Sequence, residues 1–468
     1  MLIGRENEMQ DLSALYEAKG FQFAAVYGRR RVGKTRLISE FIVGKQAVYF
    51  TATQNEHEVL LRDFTKAVSE AFPDNALLHN MESFTSFDAA FSFIADEAKD
   101  KKLILVIDEY PYLAKSYPAI SSILQRIIDR NFKKTNLFLI LSGSSMSFME
   151  KQILGYESPL YGRRTGQIKL SPLPYYESIK FFPDWSDEEK LYAYGVCGGI
   201  PQYLEIAARW GSLKDAVTHE LLSSSGGLYS EPEFLIREEL REPAIYNSII
   251  DAIVGGKNKV NEIASAINKS GNSISSYLKN LQSLEIIEKK IPVEETSSKK
   301  TIYYLADPLF HFWYRFIPDC RFYILMRKGS EAFDNRIAPY LSEYFGHIFE
   351  KVCLQFILKK TEIGEIKEIY SEYGAWWGTN PHTKQQEDID ILCTDKENIL
   401  AGECKWKNDK VDFAIYNTLA GRTEIVKKGR KAEYILFSKS GFEEKLTSSD
   451  LKDLHLHLIS MNDIINVE

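Results

Sequence analysis

"FQFAAVYGRRRVGKTRLISEFI", residues 21–42, decides the fold of the first part of this chain. It reads as strand, loop and helix, the apolar run before Gly28 being short enough for a buried strand. Between them, Gly28-Arg29-Arg30-Arg31-Val32-Gly33-Lys34-Thr35 fits the pattern GxxxxGK[ST]. The glycines let such a loop bend until its backbone N–H groups point inward at phosphate oxygens. The N-terminus of the following helix adds a dipole that favours anions. Gly28 to Arg36 are therefore the expected phosphate-binding residues. Lys34 is suited to the β- and γ-phosphates and Thr35 to a Mg²⁺ ion.

A site of this kind needs a second half, a buried strand that ends in an acid. "KKLILVIDEY", residues 101–110, supplies it. Leu103 to Ile107 read as a central parallel strand. Asp108 at its end is placed to hold a Mg²⁺ shell, and Glu109 is the natural general base for an attacking water. A buried strand that merely ends in acids is the alternative. "TNLFLILSGSSMSFME", residues 135–150, is another buried strand. If it neighbours the first, Ser142 or Ser144 lies beside Asp108, to sense phosphate or simply to make a turn. In "SPLYGRRTGQIKLSPL", residues 158–173, Arg163 and Arg164 are either solvated or available to stabilise transition-state charge, in cis or from a neighbouring subunit.

Taken together, "IGRENEMQDL", the phosphate loop, "LVIDEY", "LILSGSS", "LYGRRTG" and "GGIPQYL" resemble the AAA+ and STAND-like P-loop ATPases, and more closely the prokaryotic archaeal-type ATPases. The resemblance implies ATP and Mg²⁺ as cofactors. It places Gly4 and Arg5 near the adenine and Pro201 in a helical lid, approaching the base. One departure is the serine and glycine at the end of the "LILSGSS" strand, where Asn or Thr is commoner.

From about Glu242 the pattern changes. "PAIYNSIIDAIV", "KVNEIASAI" and "SISSYLKNLQSLEIIEKK" read as three helices, the last with Ile274, Leu278 and Leu281 on one face. "IPVEETSSKKTIYYLAD" reads as a strand pair around a Ser/Lys-rich tip. That is the order of a winged helix-turn-helix. Its last helix would offer Asn272, Ser273, Ser276, Tyr277 and Lys279 to a major groove, with Lys299 and Lys300 at the wing tip for phosphates. Use of the same module for protein contacts is the alternative. "ADPLFHFWYRFI" is densely aromatic, which makes His311 a core or interface residue. It too resembles the same ATPases, where it bridges to a C-terminal domain similar to restriction-endonuclease folds.

The last region turns on "EDIDILCTDKENILAGECKWK", residues 387–407, two strands around a polar turn. Alternation puts Asp388 and Asp390 on one face, and Glu403 and Lys405 on one face, with Ile389, Ile391 and Cys393 pointing the other way alongside Leu400, Cys404 and Trp406. With residues 395–398 as the turn, 394 lies opposite 399 and Asp390 opposite Glu403. Such neighbours have Cβ atoms roughly 4.5–5.5 Å apart. Two carboxylates that close call for a cation, and a hard divalent ion such as Mg²⁺ suits oxygen ligands. Lys405 is positioned to hold or activate a water for attack on a phosphodiester. This resembles the PD-(D/E)XK nuclease core, with Glu350 from "YFGHIFEKVCLQFIL" as the extra acid such folds often contribute. Lys407, Lys410 and "KKGRK" at 427–431 are candidates for a phosphate path. A cross-strand Lys–Glu ion pair is the plain alternative.

Composition sets the outer limits. The 468 residues, 44% hydrophobic with a net charge of −7, suit about three globular domains and confine any nucleic-acid binding to local basic patches. The five cysteines form no CxxC pair, which argues against structural zinc and a disulfide framework. The N-terminus is charged from residue 5, unlike a signal peptide, and no apolar run approaches the ~18 residues of a membrane span. The expectation is a cytoplasmic protein of α/β class: a P-loop NTPase core over 1–171, a helical lid over 172–240, a winged helix-turn-helix over 241–316, and a restriction-endonuclease-like domain over 317–468. Expected partners are ATP and DNA, with a protein partner or self-association as further options. Two rival functions stay open, an ATP-driven switch with an inactive nuclease fold and a DNA-binding regulator.

Overall fold

Five parallel strands carry the N-terminal unit: β1 (Gln22–Tyr27), β2 (Ala47–Thr51), β3 (Leu103–Asp108), β4 (Leu137–Gly143) and β5 (Gly166–Lys169). Their order is β2-β3-β4-β1-β5. The strand before the glycine-rich loop thus lies between β4 and β5, and the acid-tipped strand lies one place further, beside β4. β3 and β4 are buried along their whole length, as parallel strands covered on both faces must be. In the computed structural model, residues 2–295, 297, 300–447 and 455–467 are described; Lys299 lies outside them. The chain divides into two units, Met1–Pro172 with Ile200–Gln202, and Leu173–Gly199 with Tyr203–Glu468.

The glycine-rich loop leaves β1 at a point where only glycine fits. A Cβ on Gly28 would stand 2.4 Å from the carbonyl oxygen of Leu170. Helix α1 (Lys34–Ile42) starts directly after Gly33, whose φ of 96° is left-handed. Below the loop, Phe64, Phe87 and Phe91 pack edge-on or tilted against one another in the core that covers β2 and β3. Helices α2 (Tyr110–Ser116) and α3 (Ile120–Arg130) follow β3 and join that core through Tyr110, Leu113 and Leu124.

In the second unit, the residues expected to form a lid are, from Leu173 on, packed with the C-terminal region. Helix α4 (Asp187–Cys197) is buried over its last seven residues. Downstream come α5 (Pro243–Val254), α6 (Val260–Ala266), α7 (Gly271–Ser283), an antiparallel pair β6 (Ile287–Lys290) and β7 (Ile302–Leu305), α8 (Pro308–Leu325) and α9 (Leu341–Glu362). Ile274, Leu278 and Leu281 form the buried face of α7. His311 on α8 lies against the ring of Tyr344, 4.9 Å between centroids, and burial pushes its imidazole down to about 4, as suits a neutral packing residue. The C-terminal sheet has the order β12-β11-β10-β9-β8, from β8 (Glu372–Thr379), β9 (Gln386–Thr394), β10 (Asn398–Lys405), β11 (Lys431–Ser438) and β12 (Leu456–Ser460). β8, β9 and β10 are antiparallel, whereas β11 and β12 run parallel to β10. Helix α10 (Phe413–Val426) covers one face of this sheet and α9 touches β9 and β10.

One side chain joins α4 to this sheet. Trp406, the residue after β10, sits against the rings of Tyr192, Phe345 and Phe349 at 5.6, 4.6 and 4.9 Å, and its indole N–H donates to the Tyr192 hydroxyl. Gly195 keeps the seam close: a Cβ there would stand 2.6 Å from the Phe345 ring, and its carbonyl accepts from Tyr344 at 2.8 Å. Replacing Trp406 with Ala should cost about 3–5 kcal/mol, since it empties a packed aromatic site. Denaturant unfolding of the full chain measures this, and a loss below about 1 kcal/mol would show that the seam is not packed as described.

Candidate functional site

Two sites emerge, one in each unit. In the first, the Lys34 ammonium donates to the carbonyls of Gly28 and Arg29, both at 3.0 Å, and so lies across the mouth of its own loop. Thr35 donates its hydroxyl to Asp108 Oδ2 at 2.9 Å, and the hydroxyl of Tyr49 donates to the same oxygen at 2.8 Å. Burial and this carboxylate both raise the Tyr49 hydroxyl above its ordinary value, so it stays a donor. Asp108 Oδ1 accepts the N–H of Glu109. The P-loop helix and the ends of β2 and β3 therefore converge on one aspartate.

Glu109 adopts a left-handed backbone, φ 51°, where non-glycine residues are uncommon. Its carboxylate accepts the Ser144 hydroxyl at 2.7 and 2.8 Å and the Ser144 N–H at 3.3 Å. Ser144 is thus the aiming partner of the acid. The buried hydroxyl of Ser142 has no hydrogen-bond partner among the described residues. Arg5 is buried and donates to the carbonyls of Val32 and Ser171 at 3.0 and 2.7 Å, clamping the loop from behind. Gly4 precedes it with φ 64°. Arg29 is buried, Arg30 donates to the Tyr112 hydroxyl, Arg31 has φ 69°, and Arg36 is exposed on α1. Arg163 is bound by Asp129, with a contact of 2.5 Å, and by the carbonyl of Pro159; Arg164 donates to the carbonyl of Leu154. Pro201 lies in the three-residue segment counted with the first unit.

The second site begins with the hairpin register. Thr394 pairs with Ile399, Cys393 with Leu400, Leu392 with Ala401, and Ile391 with Gly402. Continued one step, that frame would set Asp390 opposite Glu403, but the pairing ends at Ile391 and Gly402. There the ladder changes: the Asp390 carboxylate accepts the N–H of Cys404 at 2.8 Å. On the other edge of β9, Gly374 pairs with Leu392 but Trp376 with Ile389, so Ala375 alone opposes both Asp390 and Ile391. This is a β-bulge, and it corrects the expected alternation. Ile389 and Leu392 share one core with Ile399 and Ala401, whereas strict alternation grouped Ile389 with Ile391, Cys393 and Leu400. An extra residue at 390–391 exchanges the faces of everything beyond it.

The charged residues around the bulge are mutually engaged. Glu403 bonds the Lys405 ammonium through Oε1, while its buried Oε2 lies 3.7 Å from Arg422 of α10. Arg422 also bonds Glu387 at 3.0 Å and reaches Asp388 at 3.8 Å. Glu350 pairs with His347 at 3.5 Å, and that contact raises the imidazole. Among the described residues no three His, Cys, Asp or Glu side chains stand together as a metal-ligand set. Glu350, Asp390 and Glu403, expected as metal ligands, are therefore not assembled as a cage: one oxygen of Asp390 takes a backbone N–H, Glu403 takes two cations, and Glu350 faces a histidine. Asp390 nonetheless registers its neighbours. Burial first, then Glu403 and Glu350, push its carboxyl up to about 7. Burial alone would lower the Lys405 ammonium, but Glu403 and Asp390 hold it above its ordinary value. An aspartate whose ionisation is opposed by two neighbouring glutamates offers the oxygen chemistry that a hard cation satisfies.

Of the basic candidates, Lys407 and Lys410 are exposed, while Lys428 and Arg430 bond Glu294 in the loop after β6. Asn272, Ser273, Ser276 and Lys279 are exposed on α7, and Tyr277 donates to Glu242. Lys300 pairs with Glu295. Sequence reasoning missed Tyr49, Arg422 and His347. Of these only Tyr49 left a local sign, a hydroxyl in the apolar strand beside β3.

A loop that wraps its own lysine, with Thr35 bonded to the acid that ends a buried strand, defines the first unit as a P-loop ATPase domain. The comparisons agree. Residues 2–206 match an ATPase domain predominantly from Archaea, and residues 313–415 match a family described as archaeal and bacterial proteins of unknown function. The uncharacterized protein MJECL04 of Methanocaldococcus jannaschii is 32% identical over 432 residues, covering 91% of this chain and 92% of that protein. The chain belongs to that family of archaeal-type P-loop ATPases. The Walker-type ATPase paby2304 of Pyrococcus abyssi shares the fold, at a TM-score of 0.55 and 23% identity over 67% of this chain and 96% of that one. Among the described residues no helix is long and apolar enough to cross a membrane.

The raised Asp390 carboxyl has a consequence for stability. An ordinary aspartate titrates near ~3.9, so the folded state holds this proton more tightly than the unfolded chain. Its ionisation cost is absent below about pH 4, grows between about pH 4 and 7, and is complete above about pH 7. Asp390→Asn should therefore flatten the decline in stability over that window. Urea midpoints of both proteins at about pH 5 and about pH 8 measure it, and identical pH slopes would contradict the assignment.

Proposed function

We propose that this protein hydrolyses ATP in its first unit and acts on DNA through its second, with the β9–β10 hairpin as a Mg²⁺-dependent nuclease-like site. The observation that carries the ATPase half is Glu109, left-handed in its backbone directly after the aspartate that bonds Thr35, with its carboxylate bound by Ser144. Backbone strain persists where the surroundings over-determine it, and it clusters at functional sites. In this reading the N–H groups of Gly28 to Thr35 and the Lys34 ammonium bind the β- and γ-phosphates. Thr35 and Asp108 are the residues suited to hold Mg²⁺, which when bound supplies charge neutralisation to phosphate oxygens. Glu109 takes the proton of the attacking water, and Ser144 keeps its carboxylate in place. Gly4, Arg5 and Pro201 are assigned to the neighbourhood of the base. For Arg163 to act on transition-state charge it would first have to leave Asp129, which makes Arg164 the freer of the two for that role.

Lys34→Ala should abolish nucleotide binding, whereas Glu109→Gln should keep binding and lower hydrolysis by about 10²–10⁴-fold. Phosphate release and labelled-nucleotide binding separate the two, and ATPase activity that survives in Lys34→Ala would sink the assignment.

For the second unit, support comes from Asp390 at the bulge, with Glu403 and Glu350 near enough to raise its carboxyl, and from Lys405 bonded to Glu403. The residues suited to Mg²⁺ are Asp390 and Glu403, with Glu350 nearby. Lys405 would orient the water. The exposed polar face of α7 fits a major-groove contact, and the order of α5, α6, α7, β6 and β7 is that of a winged helix. Asp390→Asn and Lys405→Ala should each abolish Mg²⁺-dependent nicking while ATP hydrolysis continues. Plasmid and oligonucleotide cleavage assays with and without EDTA test this. The ion pairs of Glu403 with Lys405 and Arg422 favour one second reading, an ATP-driven switch that uses this fold for docking. ATP hydrolysis without nicking on any DNA or RNA would decide for it.

A further inference from the structure

A cavity of about 610 Å³ opens beside the bulge, and its walls come from two parts of the second unit. Lys290 and Tyr304, on the β6–β7 pair, face Trp377, Asp388, Asp390 and Glu350, on β8, β9 and α9. Trp377 and Asp388 are cross-strand partners, so this indole stands next to the candidate site by register. Tyr304 is 40% exposed, its ring turned to the Lys290 ammonium at 5.0 Å. Aromatic faces, a lysine and acids therefore meet in one chamber.

Next to the chamber, the loop that leaves β6 is fastened to the C-terminal sheet at Ala375, one of the chamber's lining residues. The Val293 N–H donates to the carbonyl of Ala375 at 3.0 Å, and the Val293 side chain is part of the C-terminal core. Glu294 is held by Lys428 and Arg430, and its N–H donates to Glu372. Ala375 is the residue opposite the bulge. The loop after β6 is thus pinned to β8, the strand beside the one that carries Asp390.

We propose that this chamber takes an unpaired nucleic-acid strand, so that the substrate of the second unit is single-stranded nucleic acid or a frayed end rather than an intact duplex. The inference rests on the nuclease-like reading of Asp390, Glu403 and Lys405 and adds the substrate class. Its volume lies within the range of about 300–1,000 Å³ found for small-ligand pockets, which suits one or two nucleotides and not the full width of a duplex. Unpaired bases stack on aromatic rings without sequence preference, and a lysine at the rim meets the backbone phosphate. Trp377 and Tyr304 supply the stacking faces and Lys290 the charge. An intact duplex has its bases already paired and stacked on one another, so neither ring could take one of them.

Fluorescence anisotropy on the full chain tests this, in EDTA so that nothing is cut, with labelled oligo(dT), oligo(rU) and a blunt duplex of equal length. Trp377→Ala and Tyr304→Ala should each weaken binding of the single strands by about 10- to 100-fold, the usual scale for one stacked base, and leave duplex binding unchanged. Trp377→Phe should restore single-strand affinity, which separates a lost stacking face from a misfolded unit. The ratio of oligo(dT) to oligo(rU) binding tells which sugar the chamber accepts. Single-strand affinity unchanged in both alanine variants, duplex affinity falling in parallel, or no single-strand binding at all would overturn the inference. Because binding is read without cleavage, a protein that binds single strands through Trp377 but never nicks them removes the nuclease reading alone. One that cuts blunt duplex with Trp377 and Tyr304 irrelevant removes this inference alone.

Discussion

The carboxylate of Asp108 is the tie on which the first unit's chemistry depends. It ends a strand that is buried along its length, and it gathers Thr35 from the P-loop helix and Tyr49 from the adjoining strand onto a single oxygen. A buried carboxylate is tolerated only where its charge is met by donors. Here the donors belong to the elements whose relative placement matters, so satisfying the charge and aligning the loop are one event. Directly after the intervening strand, β4, Ser144 binds the carboxylate of Glu109, whose backbone takes a conformation that few residues adopt. Strand order converts four distant sequence positions into one corner.

The second unit solves a different problem. Its acids are not gathered onto one point but engaged separately, and one of them, Asp390, sits in a strand irregularity. The bulge lets the carboxylate reach the N–H of Cys404 where the antiparallel ladder stops, leaving Glu403 to Lys405 and Arg422. A regular hairpin would have kept Asp390 and Glu403 as plain cross-strand neighbours. The observed one separates their partners while leaving them close enough to disfavour the ionised aspartate.

Most of the first site could be read from the sequence because its parts are contiguous: a loop, a strand end and their flanking apolar runs each carry their own pattern. The adjacency of β3 and β4 was a condition there, and the sheet order meets it. Arg422 was not legible, and Tyr49 showed only as a hydroxyl in an apolar strand, since their roles depend on strands and helices that meet only after folding. The hairpin register was legible from its turn, because a short turn fixes which residues face one another. The bulge was not, as no glycine or proline marks residues 390–391. Its origin lies in β8, which runs on the far side of β9 and whose pairing the hairpin alone does not contain. Two residues of the basic run at 427–431, Lys428 and Arg430, hold Glu294, since cationic side chains also meet the fixed carboxylates nearest to them.

Trp406 follows Lys405 directly and is wedged between α4 and α9. The strand that presents Glu403 and Lys405 is thereby anchored by an aromatic contact with Tyr192, more than two hundred residues earlier in the chain. In descent, then, these regions are not free to drift apart. A change of volume at Tyr192, Gly195 or Phe345 moves the anchor of the hairpin, and must be answered by a compensating change in the others. Contacting residues of this kind do not vary independently, so the hairpin's position is set as much by this aromatic seam as by its own turn.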